Sequence, residues 1–534
     1  MVYNGNDGTC EIVAVNSISR KDCFSKQRVV MNIKKTIAWM LTLLTVGSSL
    51  IACGADTKDE EKDSQTEAQT QKQTEATSDE SKELTPTEIR LLVTDGLKDV
   101  DYNQREFRMD CPTGLPVPEF IVEGETGDPC NDAVYKRNSK IEQRFNVIIT
   151  LGLSSGGSSG ILEAIQTDQD FTEVFSYGAD RMYKFIGNKL LYNWHDVEIM
   201  NLDAIYYNQR GNESNTINGF LYTLASDLSV STLTSSYATF FNTRLLQNYG
   251  YQSEDLYQMV EDGTWTFDQL VTLSKDIYED FNLNNTRDQE DLYGYTVSDD
   301  SSEALSAYLP SFGHQFLIQN DDGTVTPNLL NDMTVAALDK VRDFFAEDGV
   351  NVIGWTDEPN EVGLFVDGLS VFTTMKLAEC FDNLRAMEDQ YSILPMPKYD
   401  EKQETYLTAP DPEYYLLALP KTVDPDDFDF VGTIVEALAC ESYRTVYPIF
   451  FDAALKGRYS KEPQTAKMMD YVERGRTFHL AQQFNTDVLT GLYTTWGSLT
   501  DEPKTPLASK WTTMERMFNV KLPTFLDLYE DSGY

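Results

Sequence analysis

The sequence predicts an α/β fold in which mainly parallel sheets are covered by helices. Three observations carry that expectation. Short apolar runs alternate with segments of helical periodicity from Glu88 onward. The strand candidates end in turns such as Thr94-Asp95-Gly96. The 534 residues are 41% hydrophobic and 12% aromatic, enough apolar material to fill several cores or one large two-lobed unit.

Taken in order, residues 89–93 (Ile-Arg-Leu-Leu-Val) read as the first strand. Residues 131–145 read as a helix, with Val134, Ile141 and Phe145 at helical spacing. Residues 147–151 are the second strand, 161–166 begin the second helix, and 171–177 are the third strand, followed by Gly178-Ala-Asp180-Arg181. Strand, helix, strand, helix, strand implies right-handed crossovers and parallel pairing. In such sheets ligands bind beyond the carboxyl ends of the strands. That rule selects Asp95, Gly96, Tyr177, Asp180 and Arg181 as candidate ligand residues.

The formal net charge is −43. A surface this negative repels phosphate backbones and anionic headgroups, so nucleic-acid partners are not expected. It also keeps copies of the chain apart, and a monomer is expected. Residues 1–30 carry no targeting pattern and read as a misplaced start. Met31-Asn-Ile-Lys34-Lys35 is a short positive region, followed by an apolar run that ends in Leu50-Ile51-Ala52-Cys53-Gly54. Small residues before a cysteine resemble the processing site of a bacterial lipoprotein. On that reading 31–52 is a signal peptide and Cys53 carries the lipid, which places the chain on the outer face of the cytoplasmic membrane. Residues 54–85 contain no hydrophobic residue larger than Ala before Leu84 and read, with Cys53, as a disordered tether.

Cys111 and Cys130 bracket a Pro/Gly-rich excursion, and an exported chain permits a loop-closing bridge between them. Cys380 and Cys440 sit in apolar contexts and read as buried thiols. His195, His314 and His479 show no metal-ligand spacing, and no CxxC pair is present. Gly152-Leu-Ser154-Ser-Gly156 matches G-x-S-x-G after a strand. The loop then runs slack through Gly160, whereas a nucleophile elbow needs a sharp turn directly into a helix. A glycoside hydrolase using paired carboxylates is the rival from another class, but so acidic a chain brings some carboxylates together by chance.

Five segments stand in a telling order: Gly127-Asp-Pro-Cys-Asn131-Asp132-Ala-Val-Tyr135-Lys-Arg137-Asn138, Phe240-Phe241-Asn242, Gly263-Thr-Trp265-Thr266-Phe267-Asp268, Gly368-Leu-Ser-Val-Phe372 and Ile393-Leu394-Pro395-Met396-Pro397. Together they resemble extracellular solute-binding proteins of family 1, the receptors of carbohydrate ABC importers. The order of these pieces carries the likeness. It implies a two-lobed periplasmic-binding-protein-like fold of type II with a hinge, a saccharide ligand, ABC permease subunits as partners and no enzymatic step. By the same analogy residues 86–228 and 411–450 form one lobe, and 235–405 and 455–534 the other. Crossings are then expected near Ser226–Ser229 and 405–409, which brings Asp227 and Tyr237 to the cleft. Asp180-Arg181 is similar to the Asp-Arg pair that bonds hydroxyls in maltose-type receptors. Trp355 and Trp496 lie in loops able to face the cleft, and Met375 stands where the second lobe commonly presents a stacking aromatic. Thr266 reads as a helix N-cap with Trp265 and Leu270 forming a hydrophobic staple, so Trp265 is a packing residue.

Asp280, Asn282, Asn284, Thr286, Asp288 and Asp291 occupy positions 1, 3, 5, 7, 9 and 12 of a twelve-residue loop. That is EF-hand spacing, with Asn285 in place of the usual Gly and Asp291 in place of the usual Glu. A weak structural Ca2+ site is expected there, remote from ligand.

Overall fold

A computed structural model describes residues 86–112, 119–152, 157–298, 304–320, 324–328, 331–354, 357, 359–451, 463–480 and 507–529. The leader, the signal region, Cys53, the whole tether, Ser154, Trp355 and Trp496 lie outside these residues. Among the described residues no helix is long and apolar enough to cross a membrane.

The first sheet holds β1 (Arg105–Asp110), β2 (Val147–Leu151), β3 (Val174–Gly178) and β12 (Tyr415–Ala418), in the order β12-β3-β1-β2. The second runs β11 (Tyr391–Leu394), β4 (Tyr237–Asn242), β10 (Ser370–Lys376), β6 (Leu292–Ser298), β5 (Tyr278–Glu279), with β9 (Val350–Ile353) also on β6. β7 (Leu317–Gln319) and β8 (Val325–Pro327) form a separate hairpin. Each main sheet is parallel at its heart: β1 pairs β2 and β3, and β6 pairs β10 and β9.

The antiparallel strands show where the chain changes sheet. Residues 226–236 lead from the first sheet into β4, and 408–414 lead from the second into β12. β12 begins beside the end of β3, Tyr415 opposite Gly178. β4 begins beside the end of β10, Tyr237 opposite Lys376. A strand entered at the carboxyl ends of its neighbours must run against them. Both crossings therefore meet the carboxyl ends of the parallel strands, the side on which open α/β sheets bind ligands. The crossings hold one another through Asp411 N to Ser235 O, 2.8 Å, and both touch the second sheet.

Helix α2 (Pro129–Phe145) begins as its sequence dictates. Pro129 stands in its first turn, and the Asp128 carboxylate caps the Cys130 and Asn131 N–H groups. Asn146 takes the left-handed conformation at its end, and β2 follows at once. Trp265 is fully buried, its Nε1 donating to Pro395 O at 2.9 Å, and Thr266 caps the helix that follows. The largest hydrophobic cluster runs from Phe175 and Phe185 through Tyr237 and Trp265 to Phe525, so apolar packing is continuous across the crossings.

Three expectations are corrected. Residues 89–93 are not a strand: helix α1 (Pro86–Leu91) takes the first three and a turn follows, with Pro86 at the helix start, Glu88 in its first turn and Arg90 in its last. The first strand is Arg105–Asp110, whose alternating Phe107 and Met109 face the core between charged residues. Asp95 and Gly96 consequently leave the strand-end group. The Asp95 carboxylate pairs with Arg144 at 2.5 Å, in the last turn of α2, and so lies near the amino end of β2. No disulfide joins Cys111 and Cys130. The two thiols are buried in different hydrophobic clusters, Cys111 with Phe107 and Phe120, Cys130 with Val134 and Phe240.

Candidate functional site

The carboxyl ends of β1, β2 and β3 bring one group of side chains together. β1 ends in Asp110, which is buried. β2 is followed by Gly152, where a β-carbon would stand 2.9 Å from Asp110 N, so only glycine lets the two strand ends approach. β3 carries half-buried Tyr177, and its last residue, Gly178, opens helix α3 (Ala179–Gly187) with Asp180 and exposed Arg181 in its first turn.

The second crossing supplies the opposite wall. Ala179 N and Asp180 N donate to Tyr414 O and Pro412 O at 2.8 and 2.9 Å, so the first turn of α3 is tied to the crossing. Glu413 is exposed there, 4.0 Å from Arg181, and Arg181 lies 3.5 Å from Asp180. Asp411 accepts the Tyr237 hydroxyl at 2.8 Å and faces Lys376 at 3.9 Å. Half-buried Tyr415 feels the charges of Glu119, Glu413 and Arg181.

Burial, with the charge of Glu413 added and only partly offset by Arg181, raises the Asp180 carboxyl to about 6. Its Oδ1 is buried with no hydrogen-bond partner among the described residues. That oxygen folds over Gly178, where a β-carbon would stand 2.5 Å away. Burial also raises Tyr177, helped by Asp110, and lifts Tyr415 to about 12, so both phenols stay neutral donors. The arrangement offers hydroxyl-accepting carboxylates, one exposed guanidinium already flanked by Asp180 and Glu413, and two phenol faces, which suits a neutral polar ligand better than an anion.

The first crossing is anchored by a buried acid that sequence reasoning missed. Glu119 accepts from Ser229 Oγ and from the N–H groups of Ser231 and Val230. Its burial raises it to about 7, against the pull of those bonds and of Arg137.

The structure thus unites Tyr177, Asp180 and Arg181 of the expected residues, and adds Asp110, Asp411, Glu413 and Tyr415. Tyr237 is buried and serves to hold Asp411. Met375 is a core residue, 4% exposed, in the cluster of Phe240, Phe365 and Leu377, because alternation along β10 turns it inward. Asp227 lies elsewhere, lining a cavity of about 320 Å3 with Arg90, Tyr443, Tyr447, Glu473 and Arg476. One signal for the missed residues was in the chain: Asp411-Pro-Glu413 stands between two apolar runs, a turn signature where the second crossing falls.

In the loop at 280–291 Asn285 takes a positive φ of 59°, as the sixth position requires. The loop is closed by its own groups. Asp280 accepts from Asn284 N and Asn285 N, and the amide nitrogens of Asn282 and Asn284 both donate to Asp288. Asp291 accepts from Tyr278 Oη, Phe281 N and Asp288 N. No three acidic, His or Cys side chains converge among the described residues. A cation fits this donor set only with both amides turned to present oxygen.

No protein-family model matches the chain, and no curated protein matches it. Among solved structures it is similar to UgpB from Mycobacterium tuberculosis in complex with glycerophosphocholine. The two share 12% identity at a TM-score of 0.50, over 79% of this chain and 99% of that one. At that identity the likeness concerns architecture: the chain has a two-lobed, periplasmic-binding-protein-like α/β fold, its sheets flanked by helices and joined through crossing segments.

Proposed function

We propose that this protein is an extracellular substrate-binding lipoprotein of an ABC importer, which captures a sugar or oligosaccharide between its lobes and delivers it to the membrane permease without chemistry. The observation that carries the reading is the strand-end group at the second crossing, above all the buried Oδ1 of Asp180, without a partner among the described residues, beside Arg181, Tyr177 and Glu413. A ligand hydroxyl donating to that oxygen removes an unsatisfied acceptor, beside the crossing that carries Pro412 and Tyr414. The complex of the similar fold with glycerophosphocholine is in keeping with a small polar ligand here. The lobes proposed are 86–228 with 411–450, and 235–405 with 455–534. Cys53 is the proposed lipid site, which would hold the body outside the cytoplasmic membrane on its 54–85 tether.

A thermal-shift panel of oligosaccharides, amino acids, peptides and anions tests this, because a bound ligand raises the melting temperature by mass action. The expected result is a shift with at least one glycan. Asp180→Asn and Arg181→Ala should each weaken that glycan about tenfold or more, as loss of a charged hydrogen-bond partner does. No shift with any glycan, or release of reducing sugar, overturns the proposal.

For the loop at 280–291 we propose weak calcium binding with both amides turned. Adding EGTA in the same assay should then lower the melting temperature, and Asp288→Asn should abolish the response. An unchanged melting point sinks the calcium reading and leaves the ligand reading untouched.

A further inference from the structure

A second cavity, of about 530 Å3, opens where three segments meet. One wall is the helix Gln209–Asn215, which precedes the first crossing, with Arg210, Glu213 and Ser214. Another is the β7–β8 hairpin and the residues leading into it, with Gln315, Gln319 and Asn320. The floor is the segment after the helix Pro463–Gly475, with Thr477, Phe478 and His479. None of these residues belongs to the strand-end group.

His479 is 5% exposed, lines this cavity, and its Nε2 has no hydrogen-bond partner among the described residues. Burial, with nearby His314 adding, pushes its imidazole down to about 4, so the ring is neutral at pH 7. His314 is buried as well and is held through Nδ1 by Thr334 Oγ1 at 3.1 Å. The walls are fixed: Thr477 N donates to Thr408 O at 2.7 Å, Ser214 Oγ to Phe478 O at 3.3 Å, and Gln319 Nε2 to Thr216 O. The formal charges of Arg210 and Glu213 cancel. What remains is a set of amides, hydroxyls and a neutral imidazole over the apolar sides of Leu317, Val325 and Leu480, in a volume typical of small-molecule sites.

We infer that this cavity is a second ligand site, for a small neutral polyhydroxyl compound of polyol or monosaccharide size, with His479 Nε2 bonding one of its hydroxyls. A charged ligand meets no uncompensated opposite charge there, and a purely apolar one leaves the imidazole nitrogen unsatisfied. Because its walls come from chain on either side of the first crossing, an occupant ties the two together.

The test is saturation-transfer NMR on the full-length protein with glycerol, myo-inositol and glucose as separate probes. Asp180→Asn weakens the strand-end site, His479→Leu removes a nitrogen that has no partner among the described residues, and Gln315→Trp fills the cavity from an exposed position. At least one probe should give a signal that survives in Asp180→Asn and weakens about tenfold in affinity in both cavity variants. Thermal unfolding checks that each variant folds. Should His479→Leu fail to fold, Gln315→Trp decides alone. Signals from none of the three probes, signals lost in Asp180→Asn, or signals indifferent to Gln315→Trp overturn the inference. Failure of the glycan panel at the strand-end site leaves this result unaffected, since Asp180→Asn separates the two.

Discussion

Replacing Arg137 by Ala is expected to cost about 3–5 kcal/mol of stability, the range for breaking a buried charge network by deleting one member. Arg137 is 1% exposed on the inner face of α2. Its Nη2 donates to Phe120 O at 2.6 Å, Nη1 to Ser442 Oγ at 3.0 Å and Nε to Asn138 Oδ1 at 2.9 Å. Burial pushes the guanidinium down to about 9, against the pull of nearby acids such as Glu441, so it is still charged at pH 7. Its removal leaves Ser442 and Asn138 without that donor, Glu119 without its nearby cation, and a void in the core. Arg137→Lys keeps the charge and loses the fork, so it should cost less than Ala. Urea unfolding measures both. A loss below about 1 kcal/mol for the Ala variant, the level of an exposed pair, would show that the network is not structural.

The second large effect concerns pH. Substituting Glu119→Gln and Asp227→Asn together should stabilise the protein at pH 8 relative to pH 5, measured as the gap in unfolding free energy from the wild type. Burial raises both carboxyls to about 7 in the folded protein, Asp227 despite Arg476 and Arg90. In the unfolded chain they ionise near 4. Between those values the folded state holds more protons than the unfolded state, so stability falls as pH rises. The contribution is fully present below about pH 4 and lost as pH climbs through about 7, on the order of 3 kcal/mol for each group. His314 and His479, both pushed down to about 4 by burial, act in the opposite sense between about 4 and 6.5. Only the difference between variant and wild type isolates the acids. A gap that stays constant from pH 5 to pH 8 would be evidence against buried, protonated carboxyls at the first crossing.

Much of the fold was legible because local signals agreed. In α2 a Pro at the start, a capping Asp and a regular apolar stripe all point the same way, and β2 begins one residue past its left-handed cap. The same stripe gives away the buried guanidinium: Arg137 and Asn138 fall three and four residues after Val134, on the apolar face. β1 was missed because two apolar residues between charges are a faint alternation, and a stronger apolar run nearby drew the strand assignment to 89–93. At the site, Asp180 and Arg181 follow from the strand-end rule. Glu413 and Asp411 do not, since their place is set by pairing between segments about 240 residues apart.

That pairing has a kinetic side. Ser176 in β3 meets Leu416 in β12, residues 240 positions apart. Until β12 arrives, β3 is an edge strand with open hydrogen-bonding groups, the kind of edge that recruits other chains. Closing so long a loop costs entropy before any contact repays it, and high contact order slows folding. The first sheet therefore completes late, after nearly all of the second has been made. Throughout synthesis, until residue 415 emerges, the carboxyl-end side of that sheet stands without the strand that completes it.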